Sequence, residues 1–75
     1  MDKLIEILEE LQPDVDYATC EDLVDGRHLD SLTILSLVSE IEDEFDVEIP
    51  TVEIIPANFN SAKKIMELIN RVKEN

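Results

Sequence analysis

The residues best placed to do chemistry are Asp30, Ser31 and Leu32, where a polar loop gives way to an amphipathic helical stretch. A serine at such a junction is ordinarily a helix N-cap, its hydroxyl accepting a backbone N–H. The same position also tolerates a phosphate ester, because unpaired N–H groups and the helix dipole favour an anion. From the residues alone both roles stay open. Nucleophilic catalysis has little support. The single histidine, His28, lies three residues before Ser31 in the loop, and no Gly-x-Ser-x-Gly elbow surrounds the serine. His28 reads as a solvated loop residue. The stretch from Glu21 to Gly26 fails as a calcium loop, since Gly26 at the sixth position puts Leu23 and Leu32 where oxygen donors are required. One cysteine, Cys20, excludes an internal disulfide, and neither a cysteine-based nor any other metal site is expected. Cys20 reads as a small, partly buried apolar residue.

Three helical stretches must position these residues. In 2–12, Leu4, Leu8 and Leu11 form a stripe flanked by Ile5 and Ile7, with Asp2 as a cap and Pro13 as the stop. In 31–45, Ile34, Val38, Ile41 and Phe45 step by 4, 3 and 4, with Leu37 alongside. In 61–74, Ala62, Ile65, Leu68, Ile69 and Val72 form the third stripe, capped by Asn60 or Ser61. A long loop, 13–30, separates the first two stretches. In the connector 50–60, Val52 to Ile55 can make one helical turn before Pro56. No segment alternates with a strand period. The expectation is an all-α bundle of three long helices and one short one, a single domain over 1–75.

Leu32 and Leu35 fall outside the apolar stripe of 31–45, sharing the opposite face with Ser36, Ser39 and Asp43. Either the 13–30 loop folds back over them, or they are an exposed apolar patch ringed by carboxylates. The acidic run Glu40, Glu42, Asp43, Glu44, Asp46, Glu48 follows, as a solvated face or as a docking surface for basic partners.

The chain has 75 residues and a net charge of −13, from 19 acidic and six basic residues. Residues 1–60 hold 17 acidic and two basic residues, whereas 61–75 hold four basic and two acidic. Such acidity argues against nucleic acid and against anionic membrane surfaces as partners. No apolar run reaches membrane-spanning length and the N-terminus lacks a signal peptide's pattern, so a reducing cytoplasm is expected. A domain this small buries about 60% of its unfolded surface, too little for a deep catalytic cavity. A non-enzymatic, monomeric protein that presents something to larger partners is expected.

Together these residues resemble the acyl carrier protein family. Leu29-Asp30-Ser31-Leu32 is similar to that family's D-S-L attachment motif, and Leu37 to Pro50 resembles the acidic helix ending in E-F-x-x-x-I-P that follows it. The resemblance covers nearly the whole chain in length, charge and helix order. It implies a four-helix bundle with a long loop after helix 1, and a 4′-phosphopantetheine arm esterified to Ser31, flanked by Asp30 and Leu32. The arm's thiol holds an acyl or aminoacyl group as a thioester, as in fatty acid or lipid biosynthesis. Implied partners are a phosphopantetheinyl transferase and loading ligases or synthases with basic patches, docking on Leu32, Leu35, Ser36, Ser39, Glu40, Glu42 and Asp43. Carriers of fatty acid synthesis usually bear acidic residues where this chain has Thr33 and Ser36. Asp25-Gly26 and the connector from Ile55 to Ser61 look more like specialised carriers, D-alanyl carriers among them, although the tryptophan expected near that connector is absent. The reading of another class is an acidic helical adaptor without a prosthetic group, in which Ser31 is only a cap.

Overall fold

In a computed structural model, residues 2–74 are described. Helix α1 spans Asp2–Leu11, α2 Ser31–Phe45, α3 Pro56–Phe59 and α4 Ala62–Glu74, with a 3-10 turn at Thr51–Glu53. Among the described residues there is no strand, so the all-α expectation holds, with three long helices and one short one. Asp2 is the first described residue of α1, where its negative charge faces the positive end of the helix.

The three stripes meet in one core, in which Leu4, Leu8, Leu37, Ile41, Ile65, Leu68 and Ile69 are fully buried. Burying each such side chain contributes about 1.5–3 kcal/mol. The buried line of α2 runs through Leu37, Val38 and Ile41, while Ile34 and Phe45 at its ends are half-buried. The loop between α1 and α2 does fold inward, but with its own apolar residues: Tyr17, Leu23 and Leu29 are buried. The Tyr17 hydroxyl donates to the Gln12 carbonyl at 2.6 Å, just past the end of α1, and shares its proton at 3.1 Å with the Leu8 carbonyl, which also accepts the Gln12 N–H.

The connector differs from its expected form. The turn ends at Glu53, and Pro56 opens α3 instead of closing a turn from Val52 to Ile55. Proline suits a first helical position, where its missing N–H would have no partner anyway. Phe59 then anchors α3, fully buried. Of the two residues expected to cap α4, Ser61 does so, accepting the Lys64 N–H at 3.1 Å. Asn60 serves the long loop instead. Its Oδ1 accepts the N–H groups of Val24 and Asp25, each at 3.0 Å, and its carbonyl accepts the Leu23 N–H at 2.9 Å.

Candidate functional site

Helix α2 is capped by Asp30, not by Ser31. Asp30 sits in extended backbone, and its Oδ1 accepts the Thr33 N–H at 2.8 Å. Its carbonyl accepts the Ile34 N–H at 2.9 Å, the first bond of the helix. The Thr33 N–H, ahead of smaller contributions, holds the Asp30 carboxyl below its ordinary pKa. Because Asp30 takes the cap, Ser31 becomes the first helical residue. Its side chain is exposed, and among the described residues no hydrogen bond holds its hydroxyl.

The loop that delivers this junction is fastened at several points. Leu29 is buried and its N–H donates to the Leu23 carbonyl at 2.8 Å, so the residue two before Ser31 is anchored in the core. Gly26 donates to the Asp22 carbonyl, and a Cβ at Gly26 would stand 2.7 Å from that oxygen. Arg27 reverses the chain at φ 63°, a left-handed conformation.

Leu32 is 76% exposed and Leu35 57% exposed, so the loop does not cover them. They form the apolar patch that helical spacing allowed. Val52 and Ile55, at 82% and 46%, are further exposed apolar residues that the one-turn reading of the connector left unremarked. Pro50 and Pro56 mark the segment as irregular, and within it Ile54 packs against the core while Val52 and Ile55 face out.

The docking residues separate into groups. Ser36, Ser39, Glu40 and Asp43 are exposed. Ser39, Glu40, Glu42 and Asp43 line one shallow open depression together with Val47 and Glu48. Glu42 differs from the rest. It is half-buried, and its Oε2 accepts the Ile49 N–H at 2.9 Å, tying down the chain after α2. Its carboxylate is engaged in holding the fold.

His28 is exposed, as expected, but it is not alone. Its Nε2 lies 3.8 Å from Asp22 Oδ1, and the Cys20 thiol donates to the same oxygen at 3.1 Å. Sequence spacing gave no hint that Cys20, Asp22 and His28 converge. The Asp22 N–H acts to lower the Cys20 pKa, but burial and the Asp22 carboxylate outweigh it and the thiol is pushed up. That keeps the thiol protonated and a poor nucleophile.

The arrangement at Ser31 fits an ester-linked anionic group: a free, exposed hydroxyl at the positive end of a 15-residue helix, beside an exposed leucine. Comparison with known proteins agrees. The family described as "Phosphopantetheine attachment site" matches residues 3–72. The D-alanyl carrier protein of Streptococcus sanguinis is 38% identical over 72 residues, covering 95% of this chain and 91% of the relative. Those of Streptococcus gordonii and Streptococcus thermophilus are each 36% identical over the same length and coverage. No solved structure matches the chain. The match supports the carrier reading and gives none to the adaptor without a prosthetic group. The chain belongs to the phosphopantetheine attachment-site family, the acyl carrier proteins, and is an acyl or aminoacyl carrier with covalent 4′-phosphopantetheine.

Proposed function

We propose that Ser31 is the attachment residue and that the chain is an aminoacyl carrier of the D-alanyl type. The observation that carries the first part is the cap at Asp30, which leaves the Ser31 hydroxyl uncommitted at the first position of α2. When bound, the arm supplies a flexible reach and a terminal thiol that holds the cargo as a thioester. The chain's own residues hold and present it. Asp30 and the buried Leu29 fix the direction from which the loop meets α2, and Leu32 offers apolar contact beside the ester.

The relatives' names support D-alanine as cargo, and the absence of carboxylates at Thr33 and Ser36 sets the chain apart from carriers of fatty acid synthesis. The partners are then a phosphopantetheinyl transferase and an adenylate-forming ligase. Both dock on Leu32, Leu35, Ser36, Ser39, Glu40 and Asp43, with Glu42 shaping the surface from beneath. Fast, weak, charge-steered encounters suit a protein that must release each partner. We place it in the cytoplasm as a single-domain monomer that catalyses nothing itself. Among the described residues no helix is long and apolar enough to cross a membrane.

The test is the intact mass before and after incubation with coenzyme A and a broad-specificity transferase, with Ser31→Ala as control. A gain of one phosphopantetheine unit, absent in the control, is expected; a gain in Ser31→Ala would overturn the site. The armed protein is then offered D-alanine, ATP and an adenylating ligase of the D-alanyl type. A further gain of one alanyl group is expected, and loading of fatty acyl groups alone by their own ligase would refute the cargo.

A further inference from the structure

Away from Ser31, the loop between α1 and α2 gathers three donors of different chemistry: the Cys20 thiol, the Asp22 carboxylate and the His28 imidazole. Their ligand atoms all lie within 4.8 Å of one another. We propose that Cys20, Asp22 and His28 form a binding site for a divalent cation of the Zn²⁺ class.

The geometry is close to what such an ion requires. Bonds of about 2.0–2.3 Å to N, O and S in a tetrahedron place neighbouring ligand atoms about 3.3–3.8 Å apart. Cys20 Sγ stands 3.1 Å and His28 Nε2 3.8 Å from Asp22 Oδ1, so two of the three edges are already near that range. Cys20 is half-buried while Asp22 and His28 are exposed, so small side-chain rotations can complete the third edge. The set is one sulfur, one nitrogen and one oxygen. That selects a borderline-soft ion over Ca²⁺ or Mg²⁺, which take oxygen alone. Three protein ligands leave a fourth position for water, and binding sends the thiol proton to solvent.

The backbone beneath these side chains is held without any ion. The Cys20 N–H donates to the Asp16 carbonyl at 3.0 Å, Leu23 is tied to Asn60, and Leu29 is tied to Leu23. Gly26 lets the loop close on Asp22, because a Cβ there would meet the Asp22 carboxylate at 2.6 Å. An ion at this place would cross-link the two limbs of the loop that ends at Ser31, bracing the approach to the attachment residue.

General acidity is the competing source of binding, since a chain of net charge −13 attracts any divalent cation. The thiolate distinguishes the two. The full chain, shown by mass to carry no arm and so no second thiol, is titrated with Co²⁺ and then with Zn²⁺ in competition. The expected result is one equivalent of Co²⁺ with a thiolate-to-cobalt charge-transfer band, displaced by Zn²⁺ and unaffected by excess Mg²⁺. Cys20→Ser is expected to abolish the band, and His28→Ala to weaken binding by more than about ten-fold, the least that losing a supporting group costs such sites. Zn²⁺ should also raise the thermal midpoint of the wild type and not that of Cys20→Ser, whose fold is checked by circular dichroism. Binding without a thiolate band, equal binding by Cys20→Ser, or no binding at all would overturn the site. Each result is independent of the carrier reading, because the arm takes no part.

Discussion

Asn60 Oδ1 accepts the Val24 N–H at 3.0 Å across 36 positions of sequence. Through this bond the junction of α3 and α4 grips the loop that leads to Ser31. The same side chain takes the Asp25 N–H and returns its own Nδ2 to the Asp25 carboxylate at 3.1 Å. Asn60→Ala leaves the half-buried Val24 N–H without a partner and the exposed Asp25 N–H to water, so a loss of about 1–3 kcal/mol is expected in urea denaturation. Ser31 itself is untouched by the change. Modification should therefore slow through a displaced loop and recover when low temperature restores the fold.

Leu32 and Leu35 are predicted to behave unlike Leu37, their buried neighbour on α2. Leu37→Ala removes a core side chain and is expected to cost about 2–5 kcal/mol. Leu32→Ala and Leu35→Ala should stay within about 0.5 kcal/mol of the wild type. Their effect should instead appear as a lower kcat/KM of the transferase or ligase. A core-like loss of stability in either would show that the patch is covered.

The Asp30 cap carries a pH signature. Its carboxyl titrates below the ordinary 3.8 in the fold, so its charge stabilises the native state fully above that pH. The contribution falls away as pH drops below 3.8 and through the lowered folded value. Asp30→Asn keeps a capping oxygen but not the charge. The wild-type advantage over Asp30→Asn, read from denaturation midpoints, should be steady near neutrality and vanish in acid.

Gly26→Ala would put a Cβ 2.6 Å from Asp22 Oδ2 and 2.7 Å from the Asp22 carbonyl oxygen. The carboxylate can swing away but the backbone oxygen cannot. A loss of about 1–3 kcal/mol is expected, as for overpacking elsewhere. The loop amides of Val24 to Leu29 should lose protection from hydrogen exchange while those of α4 keep theirs.

Tyr17→Phe removes one hydroxyl and takes the donor from the Gln12 carbonyl, while the Leu8 carbonyl keeps the Gln12 N–H at 2.8 Å. A cost of about 1–2 kcal/mol in denaturation is expected. Burial, then the charge of Glu9, raises the Tyr17 pKa above 10.0, so alkali should ionise this phenol late, in step with unfolding. Ultraviolet titration of tyrosinate reads that directly, since the chain has one tyrosine.

What was legible in the sequence follows from which forces are local. The stripes of Leu4–Leu8, Leu37–Ile41 and Ile65–Ile69 are periodic because each helix must hide one face, so element type and order could be read. Sequence position points to Ser31 as the cap, yet Asp30 is as good a capping residue, and only backbone geometry decides which side chain reaches back. Pro56 reads as a stop from the sequence, although proline equally favours a helix start. The grip of Asn60 on the loop and the meeting of Cys20, Asp22 and His28 depend on a chain reversal at Arg27 and on contacts distant in sequence. No periodicity announces either.

The hold of Asn60 on Val24 and Asp25 also orders events in time. Helix α2 can form from local contacts, but its leading loop cannot be fastened until residue 60 has been synthesised and the α3–α4 corner has turned. A growing chain thus exposes Ser31 well before it exhibits the shape around it. With attachment at Ser31 as proposed, an enzyme that reads that shape, and not the D-S-L letters alone, would ignore nascent and misfolded copies and modify only those that have folded.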